Sequence, residues 1–78
     1  MLATLHGIRP LDFTANDGKK VKGTQLFVSF EENGVTGRAT DKVFVKADIE
    51  LPKKLQIGQE IDLYFDRKGK VEAVIGGE

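Results

Sequence analysis

Hydrophobic and polar residues alternate along residues 38–49. One set of alternate positions is apolar apart from Asp41: Ala39, Val43, Val45, Ala47 and Ile49. The other set holds polar side chains and one aromatic: Arg38, Thr40, Lys42, Phe44 and Lys46. Because successive side chains of a strand point to opposite faces, the pattern predicts a half-buried strand with one solvent face. That face carries three cations and a phenylalanine.

Turn residues divide the chain into five predicted strands. We place them at residues 2–13, 21–32, 35–49, 61–66 and 70–75. Asp17-Gly18 and Asn33-Gly34 are typical of tight hairpin turns, because these residues tolerate the positive φ that such turns require. The alternation also predicts that Ile61, Leu63 and Phe65 point inward.

Three residues should disturb the strands. Gly7 interrupts the first strand, Pro10 bends or ends it, and Gly37 predicts a bulge or bend in the third. Residues 51–60 lose the alternation and contain Pro52 and Gly58, so we expect a loop with at most one turn of helix. Residues 76–78 are predicted to be a frayed tail.

Within that loop, Gly58 should permit a tight turn. Ile57 and Ile61 should then anchor the chain in the core on both sides of the turn. Five short strands without a convincing helix predict a single all-β domain covering residues 1–78, either a small barrel or a sandwich.

Composition excludes several classes of protein. The chain has no cysteine and one histidine, His6, so disulfide frameworks, thiolate metal sites and histidine-rich metal sites are excluded. It contains neither an apolar segment long enough to span a membrane nor a signal-peptide pattern, so a cytoplasmic protein is expected. No nucleophile elbow, Walker A loop or dinucleotide fingerprint is present, and we therefore predict no catalytic activity and no cofactor.

Charge and size add two expectations. The 78 residues carry 12 basic and 12 acidic side chains, so the net charge gives no general attraction to a polyanion, although a local basic groove remains compatible with it. A core this small, without disulfide or metal, favours a homodimer, because dimers add buried area.

Phe44, with Arg38, Lys42 and Lys46, is the best candidate for a binding surface. An aromatic among cations suits a single-stranded nucleic acid, whose phosphates would meet the charges while a base stacks on the ring. The alternative is an ordinary solvent face on which lysines discourage edge pairing and Phe44 packs under a loop or in a dimer interface.

Phe27 and two basic turns extend this candidate surface. Phe27 would join the Phe44 face if strands two and three pair in the right register, which a bulge at Gly37 could shift by one residue; otherwise it is buried in a second cluster or an interface. Three lysines beside the first hairpin turn could grip phosphates or simply be solvated: Lys19, Lys20 and Lys22. The basic turn at residues 67–70 could form a rim of the same groove.

The pattern resembles an OB-fold, and with it a five-stranded Greek-key barrel. The segments that carry the resemblance are the start of the fourth strand at 55–63, the hairpin at 66–71, and residues 18–19, 25–28 and 43–46. Among OB-type proteins the chain is similar to the small single-stranded-DNA-binding proteins of phages and mobile elements, of the filamentous-phage gene V type. This resemblance implies a homodimer that binds single-stranded DNA in replication or transfer of a phage, plasmid or mobile element.

One feature departs from that family. The base-stacking aromatics of that family are mainly tyrosines on the second strand and its hairpin, whereas this chain offers Phe27 and Phe44. The only tyrosine of this chain, Tyr64, lies between Asp62 and Asp66.

Two functions therefore follow from the sequence. The first is binding of single-stranded nucleic acid, DNA ahead of RNA, with little sequence preference. The second is a protein-interaction module that uses the same surface, which the neutral net charge and the outward phenylalanines favour. An RNA-binding module of the cold-shock type is not separable from DNA binding at this level.

Overall fold

The chain folds into one antiparallel sheet of five strands. A computed structural model describes residues 1–76 and contains β1 (Leu2–Thr14), β2 (Lys20–Phe30), β3 (Ala39–Lys46), β4 (Glu60–Phe65) and β5 (Val71–Gly76). The described residues include no helix, and therefore no helix that could cross a membrane. The predicted all-β fold with five strands is confirmed.

The strand order is β3-β2-β1-β4-β5. Three consecutive strands form a meander, and β4 returns by a long connection to lie beside β1, which is the Greek-key arrangement. The sheet curls so that its edge strands β3 and β5 approach each other. No ladder joins these two edges in the part of the chain described, so hydrogen bonds do not close the barrel.

The core lies on the inner side of the curled sheet. Nine apolar side chains are buried there: Ala3, Leu5, Leu26, Val28, Val45, Ile61, Leu63, Val71 and Val74. Five others are partly buried and pack against them: Phe30, Val43, Ile49, Leu51 and Leu55. All five strands contribute, and in β1, β2 and β4 the buried apolar residues are two apart, as alternation requires.

A bulge in β1 decides which of its side chains face outward. The pairing with β2 shifts between Leu5, opposite Val28, and Gly7, opposite Phe27. The extra residue is His6, and such an insertion re-aims the side chains next to it. The predicted interruption at Gly7 is therefore real and takes the form of a bulge.

Pro10 neither ends nor breaks β1, which runs to Thr14. Ala15 N donates to Lys19 O at 2.7 Å, so the odd-numbered residues of this half of β1 exchange hydrogen bonds with β2. Pro10 is an even-numbered position, and its ring nitrogen faces the outer edge of the strand. Proline is tolerated in a strand at such a position, because no ladder hydrogen bond is lost.

The β2–β3 connection is longer than predicted. β2 ends at Phe30 and β3 begins at Ala39, so the predicted strands 21–32 and 35–49 both run too far. Gly34 and Gly37 adopt positive φ, of 85° and 90°. Two such residues within four positions cannot continue a ladder, and the connection becomes a loop.

Three predictions around β4 and β5 are wrong. Ile57 is 64% exposed beside the turn at Gly58, and Leu55 packs against the core instead. Phe65 is 38% exposed, because the β4–β5 pairing shifts between Tyr64 and Phe65 and breaks the alternation. Gly76 ends β5 rather than starting a tail, and the rest of the predicted tail, 77–78, lies outside the described residues.

Candidate nucleic-acid interface

The β2–β3 register places both predicted phenylalanines on one face. Gln25 lies opposite Phe44, and Phe27 lies opposite Lys42. Directly paired residues share a face, as do residues two apart along a strand. Phe27, Phe44, Lys42 and Lys46 therefore all lie on the outer face of the sheet, and no slip of one residue occurs. This face of β1, β2 and β3 is called the aromatic face below.

Each phenylalanine of the aromatic face lies over a glycine of the neighbouring strand. A Cβ atom added at Gly23 would stand 2.6 Å from Phe44 Cζ, and one added at Gly7 would stand 3.2 Å from Phe27 Cδ1. The missing Cβ lets each ring rest against the backbone, a device that supports an aromatic on a sheet surface. Phe44 remains 37% exposed.

Arg9 and Gln25 complete the centre of the aromatic face. The guanidinium carbon of Arg9 lies 5.6 Å from the centroid of the Phe27 ring, a cation–π distance. Arg9 Nη2 donates to Gln25 Oε1 at 2.5 Å. Neither residue is among the predicted site residues, because their proximity depends on a β1–β2 register that the bulge at His6 sets.

A groove of about 450 Å³ lies beside the aromatic face, between β3 and the β4–β5 turn. Its apolar lining comes from Val43, Phe44, Phe65 and Val71, and its cations are Lys42, Lys46 and Lys70. The basic turn predicted at 67–70 does form one rim of this groove, through Gly69 and Lys70. Phe65 reaches the groove only because of the irregularity at the end of β4. Asp41 is the one acidic residue in its lining.

Asp66 organises the turn that carries Lys70. Its Oδ1 accepts the backbone N–H groups of Lys68 and Lys70, each at 2.9 Å. The hydrogen bond from Lys70 lowers the pKa of Asp66, and the bond from Lys68 and the charges of Lys70 and Lys46 act in the same direction, against some desolvation. The ionised carboxylate therefore fixes the loop, and Lys46 of β3 lines the same groove as Lys70 of this turn.

Arg38 occupies a different setting from the one predicted. Its Nε donates to Ser29 Oγ at 3.1 Å, and its Nη2 donates to Ser29 O at 3.0 Å and to Thr4 Oγ1 at 3.3 Å. These bonds hold the residue that precedes β3 against β2 and β1. Ser29 Oγ also lies 2.6 Å from His6 Nε2, so this histidine has a structural hydrogen bond.

The three predicted lysines of the hairpin do not share the aromatic face. Lys20 and Lys22 are even-numbered and lie on the same side of β2 as Leu26, beyond the end of the core. Lys19 lies in the turn, where its N–H donates to Asp17 Oδ1 at 3.1 Å. All three lysines are exposed, on an arm made of the far halves of β1 and β2.

A second exposed surface lies on the outer side of β4 and β5. Leu2, Asp62 and Ile75 stand side by side on three adjacent strands, and Leu2 is 58% exposed and Ile75 53%. Tyr64 Oη donates to Asp62 Oδ2 at 2.9 Å, which raises the pKa of Tyr64. Tyr64 thus lies with this aliphatic surface and away from the aromatic face.

Within residues 1–76, no group of three or more His, Cys, Asp or Glu side chains forms a candidate metal site. No family model, no curated protein and no solved structure matches the chain. The resemblance to OB-type phage proteins therefore stays a prediction.

Proposed function

We propose that this protein binds single-stranded nucleic acid, DNA in the first instance, along the aromatic face and the adjoining groove. The observation that carries the proposal is the β2–β3 register, which puts Phe27, Phe44, Lys42 and Lys46 on one face with each ring resting on a glycine. Aromatic platforms beside cations are the elements that bind single strands without sequence readout.

The spacing of these elements suits an extended chain. Residues two apart on a strand are separated by about 6.7 Å, which is comparable to one nucleotide of an extended strand. Phe27 and Phe44 would each stack on one base, a contact worth about 1–3 kcal/mol per base. Lys42, Lys46 and Lys70 would neutralise phosphates along the groove. Because stacking and charge do not distinguish bases strongly, sequence preference is low.

The other predicted residues have secondary roles in this proposal. Lys19, Lys20 and Lys22 lie on the hairpin arm, where they would meet phosphates of a strand that continues past the groove. In OB-type proteins the loops between strands one and two and between strands four and five flank the strand-2–strand-3 binding face. Arg38 keeps its bonds to Ser29 and Thr4 and contributes positive charge at the opposite end of the face.

The test is fluorescence anisotropy of a labelled oligo-dT of about 20 nucleotides, titrated at two salt concentrations. Phe44→Ala should weaken binding by about 5- to 150-fold, the equivalent of one lost stack. The matched control is Ile75→Ala, which removes a similarly exposed apolar side chain from the opposite surface and should leave affinity unchanged. Circular dichroism confirms that both variants fold.

Two outcomes would remove the proposal. The first is failure of the wild type to bind DNA or RNA of mixed sequence at low salt. The second is an affinity that changes neither with Phe44→Ala nor with salt concentration. Log affinity for a single strand should fall with log salt concentration, with a slope of about 0.7 for each phosphate contact.

A protein-interaction module is the second candidate, and the outer surface of β4 and β5 favours it. Leu2, Tyr64 and Ile75 are exposed there, around Asp62. The N-terminal ammonium of Met1 pairs with Asp62 at 2.9 Å, so this surface offers mainly apolar area, which suits a protein partner. The expected homodimer would bury area at this surface and leave the aromatic face open.

The biological setting rests on the family resemblance alone. Replication or transfer of a phage, plasmid or other mobile element is the setting that the resemblance implies. A parallel titration with oligo-U tests DNA against RNA, since contacts to the 2′-hydroxyl would favour the RNA.

A further inference from the structure

The groove beside β3 has an apolar lining that phosphate contacts do not explain. Four apolar residues form it: Val43, Phe44, Phe65 and Val71. A phosphate is held by cations and hydrogen-bond donors and gains nothing from such side chains, whereas the face of a base stacks on an aromatic ring. The volume of about 450 Å³ lies within the range of small-molecule sites, roughly 300–1,000 Å³, so a whole nucleotide fits.

Phe65 faces this groove because the ladder is irregular at the end of β4. Tyr64 lies opposite Ala73. Phe65 lies opposite Val71, so β5 has one extra residue, Glu72, between these two pairs. A bulge re-aims the side chains beside it. The Phe65 ring, which strict alternation would bury, is therefore 38% exposed and lines the groove.

The charged side chains of the groove suit the phosphates on either side of a bound base. Lys42 and Lys46 on β3 and Lys70 on the turn all line it, and none of the three forms an ion pair within residues 1–76. Asp41 is the opposing carboxylate, and its Oδ1 accepts the backbone N–H of Lys42 at 2.8 Å. Three cations against one carboxylate leave the groove positive, which selects a nucleotide over an uncharged apolar ligand.

We propose that Phe65 is a third base-stacking residue and that the groove holds one base of the bound strand against its ring. This inference rests on the proposed function and adds a base site to a groove otherwise assigned to phosphates. The bound strand passes from Phe27 on β2 to Phe44 on β3 and then enters the groove. Its phosphates meet the lysines at the rim while the base covers the exposed part of the Phe65 ring.

The first test uses tryptophan fluorescence, because the chain contains no tryptophan. Phe65→Trp introduces a single indole in the groove, and its emission should be quenched by a stacked base as oligo-dT is added. The matched control is Tyr64→Trp, at the preceding position of β4. Tyr64 is similarly exposed, at 45%, but lies on the outer surface of β4 and β5, so its replacement should keep its emission.

The second test measures affinity by anisotropy of labelled oligo-dT. Phe65→Leu keeps an apolar side chain in the groove and removes the aromatic face, so it should weaken binding by at least about 5-fold, the lower end of one lost stack. Phe65→Trp should bind at least as tightly as wild type, because it retains a stacking ring. Tyr64→Leu should leave affinity within about 2-fold of wild type, and circular dichroism confirms the fold of each variant.

The outcomes separate this inference from the proposed function. A wild type whose binding is weakened by Phe44→Ala but not by Phe65→Leu would overturn the inference and leave the proposed function intact. Emission from Phe65→Trp that bound oligo-dT does not quench would do the same. If Phe65→Leu does not fold, the emission of Phe65→Trp decides alone. Failure of wild type to bind any oligonucleotide would remove both proposals.

Discussion

Two surfaces of the sheet that expose apolar side chains differ in their charge. The aromatic face carries Phe27 and Phe44 beside Lys42 and Lys46, with the groove and Lys70 next to it. The outer surface of β4 and β5 carries aliphatic side chains and Tyr64 around carboxylates, with no lysine or arginine among its paired residues: Leu2, Thr4, Glu60, Asp62, Tyr64, Ala73 and Ile75.

The difference shows that exposed apolar area alone does not identify a binding partner. Both surfaces offer such area, but a nucleic acid adds a phosphate for every base and needs cations near each ring. Only the aromatic face supplies them. The net charge of +0 hides this difference, because it sums the charges of all surfaces.

The largest expected effect comes from removing the charge of the groove. The triple variant Lys42→Gln, Lys46→Gln and Lys70→Gln should reduce the log–log salt slope of oligo-dT binding by about 2, and affinity by about 100-fold at about 0.1 M salt. Anisotropy titrations over a range of salt measure both quantities.

The control for this prediction is the hairpin arm. The triple variant Lys19→Gln, Lys20→Gln and Lys22→Gln removes the same charge from the opposite side of β2. Its effect should be smaller if the groove is the main phosphate site. An arm variant that loses more affinity than the groove variant would move the phosphate path to the arm.

The next expected effect is a loss of stability that differs between Gly23, under Phe44, and Gly7, under Phe27. At Gly23 a Cβ would stand 2.4 Å from the backbone oxygen of Val45, so the strands must shift. Gly23→Ala should lower the free energy of unfolding by about 1–3 kcal/mol, as overpacking does. Urea unfolding followed by circular dichroism measures this change.

Gly7→Ala is the matched comparison. Its Cβ would meet only a ring atom of Phe27, at 3.2 Å, and a side chain can move more easily than a backbone. Since alanine is also preferred over glycine in a strand by roughly 0.5–1 kcal/mol, the net change should be within about 1 kcal/mol of zero. Equal losses at both glycines would contradict the asymmetry of the two ring supports.

Local alternation predicted the strands because each strand has a wet and a dry face. It identified Val45 as inward, and Phe44 and Lys42 as outward, since period-two patterns report directly on facing. It failed where the ladder is irregular. The alternation predicts Phe65 as inward, because the sequence Tyr64-Phe65-Asp66 contains no signal of the register shift that the structure shows there.

The parts of the site that the sequence left open depend on pairing between distant residues. Phe27 could be placed beside Phe44 only by the β2–β3 register, and Arg9 beside Gln25 only by the bulge at His6. Both registers are decided by packing across the sheet rather than by the local sequence. The glycines mark the positions of the two rings. Gly7 lies opposite Phe27, and Gly23 lies two residues before Gln25, which is opposite Phe44.

The third prediction concerns the other surface. If the outer surface of β4 and β5 forms the homodimer, Ile75→Glu should raise the dimer dissociation constant by at least about 10-fold, because an unpaired carboxylate is buried in each copy. Sedimentation equilibrium measures the association. The affinity for an oligo-dT short enough to contact one chain should change by less than about 2-fold, because the substitution lies outside the aromatic face.

Phe13→Glu is the control for the dimer, since Phe13 is also exposed, at 50%, but lies on the hairpin arm. It should leave the association unchanged. A wild type that stays monomeric at all accessible concentrations would contradict the homodimer, and loss of association in Phe13→Glu alone would place the interface on the arm.

The smallest effect separates two similar turns by their response to acid. Asp66 accepts two backbone N–H groups and Asp17 one. Because the pKa of Asp66 is lowered below its ordinary value of 3.8, its ionised form stabilises the fold above that pH. This contribution is lost as the pH falls below 3.8 and through the lowered pKa. Urea midpoints measured at decreasing pH should therefore fall less steeply for Asp66→Asn than for wild type.

Asp17→Asn tests whether this acid response belongs to the groove or to any turn in which an aspartate accepts backbone N–H groups. Asparagine still accepts a backbone N–H in both variants, so the turns keep their shape while the titrating charge is lost. Asp66 is also influenced by Lys46 and Lys70 across the groove, whereas Asp17 lies on the arm. A larger change in acid sensitivity for Asp66→Asn would agree with the second backbone hydrogen bond of Asp66 and with the nearby charges of Lys70 and Lys46. Equal changes would mean that neither the second hydrogen bond of Asp66 nor the groove lysines add to the acid response.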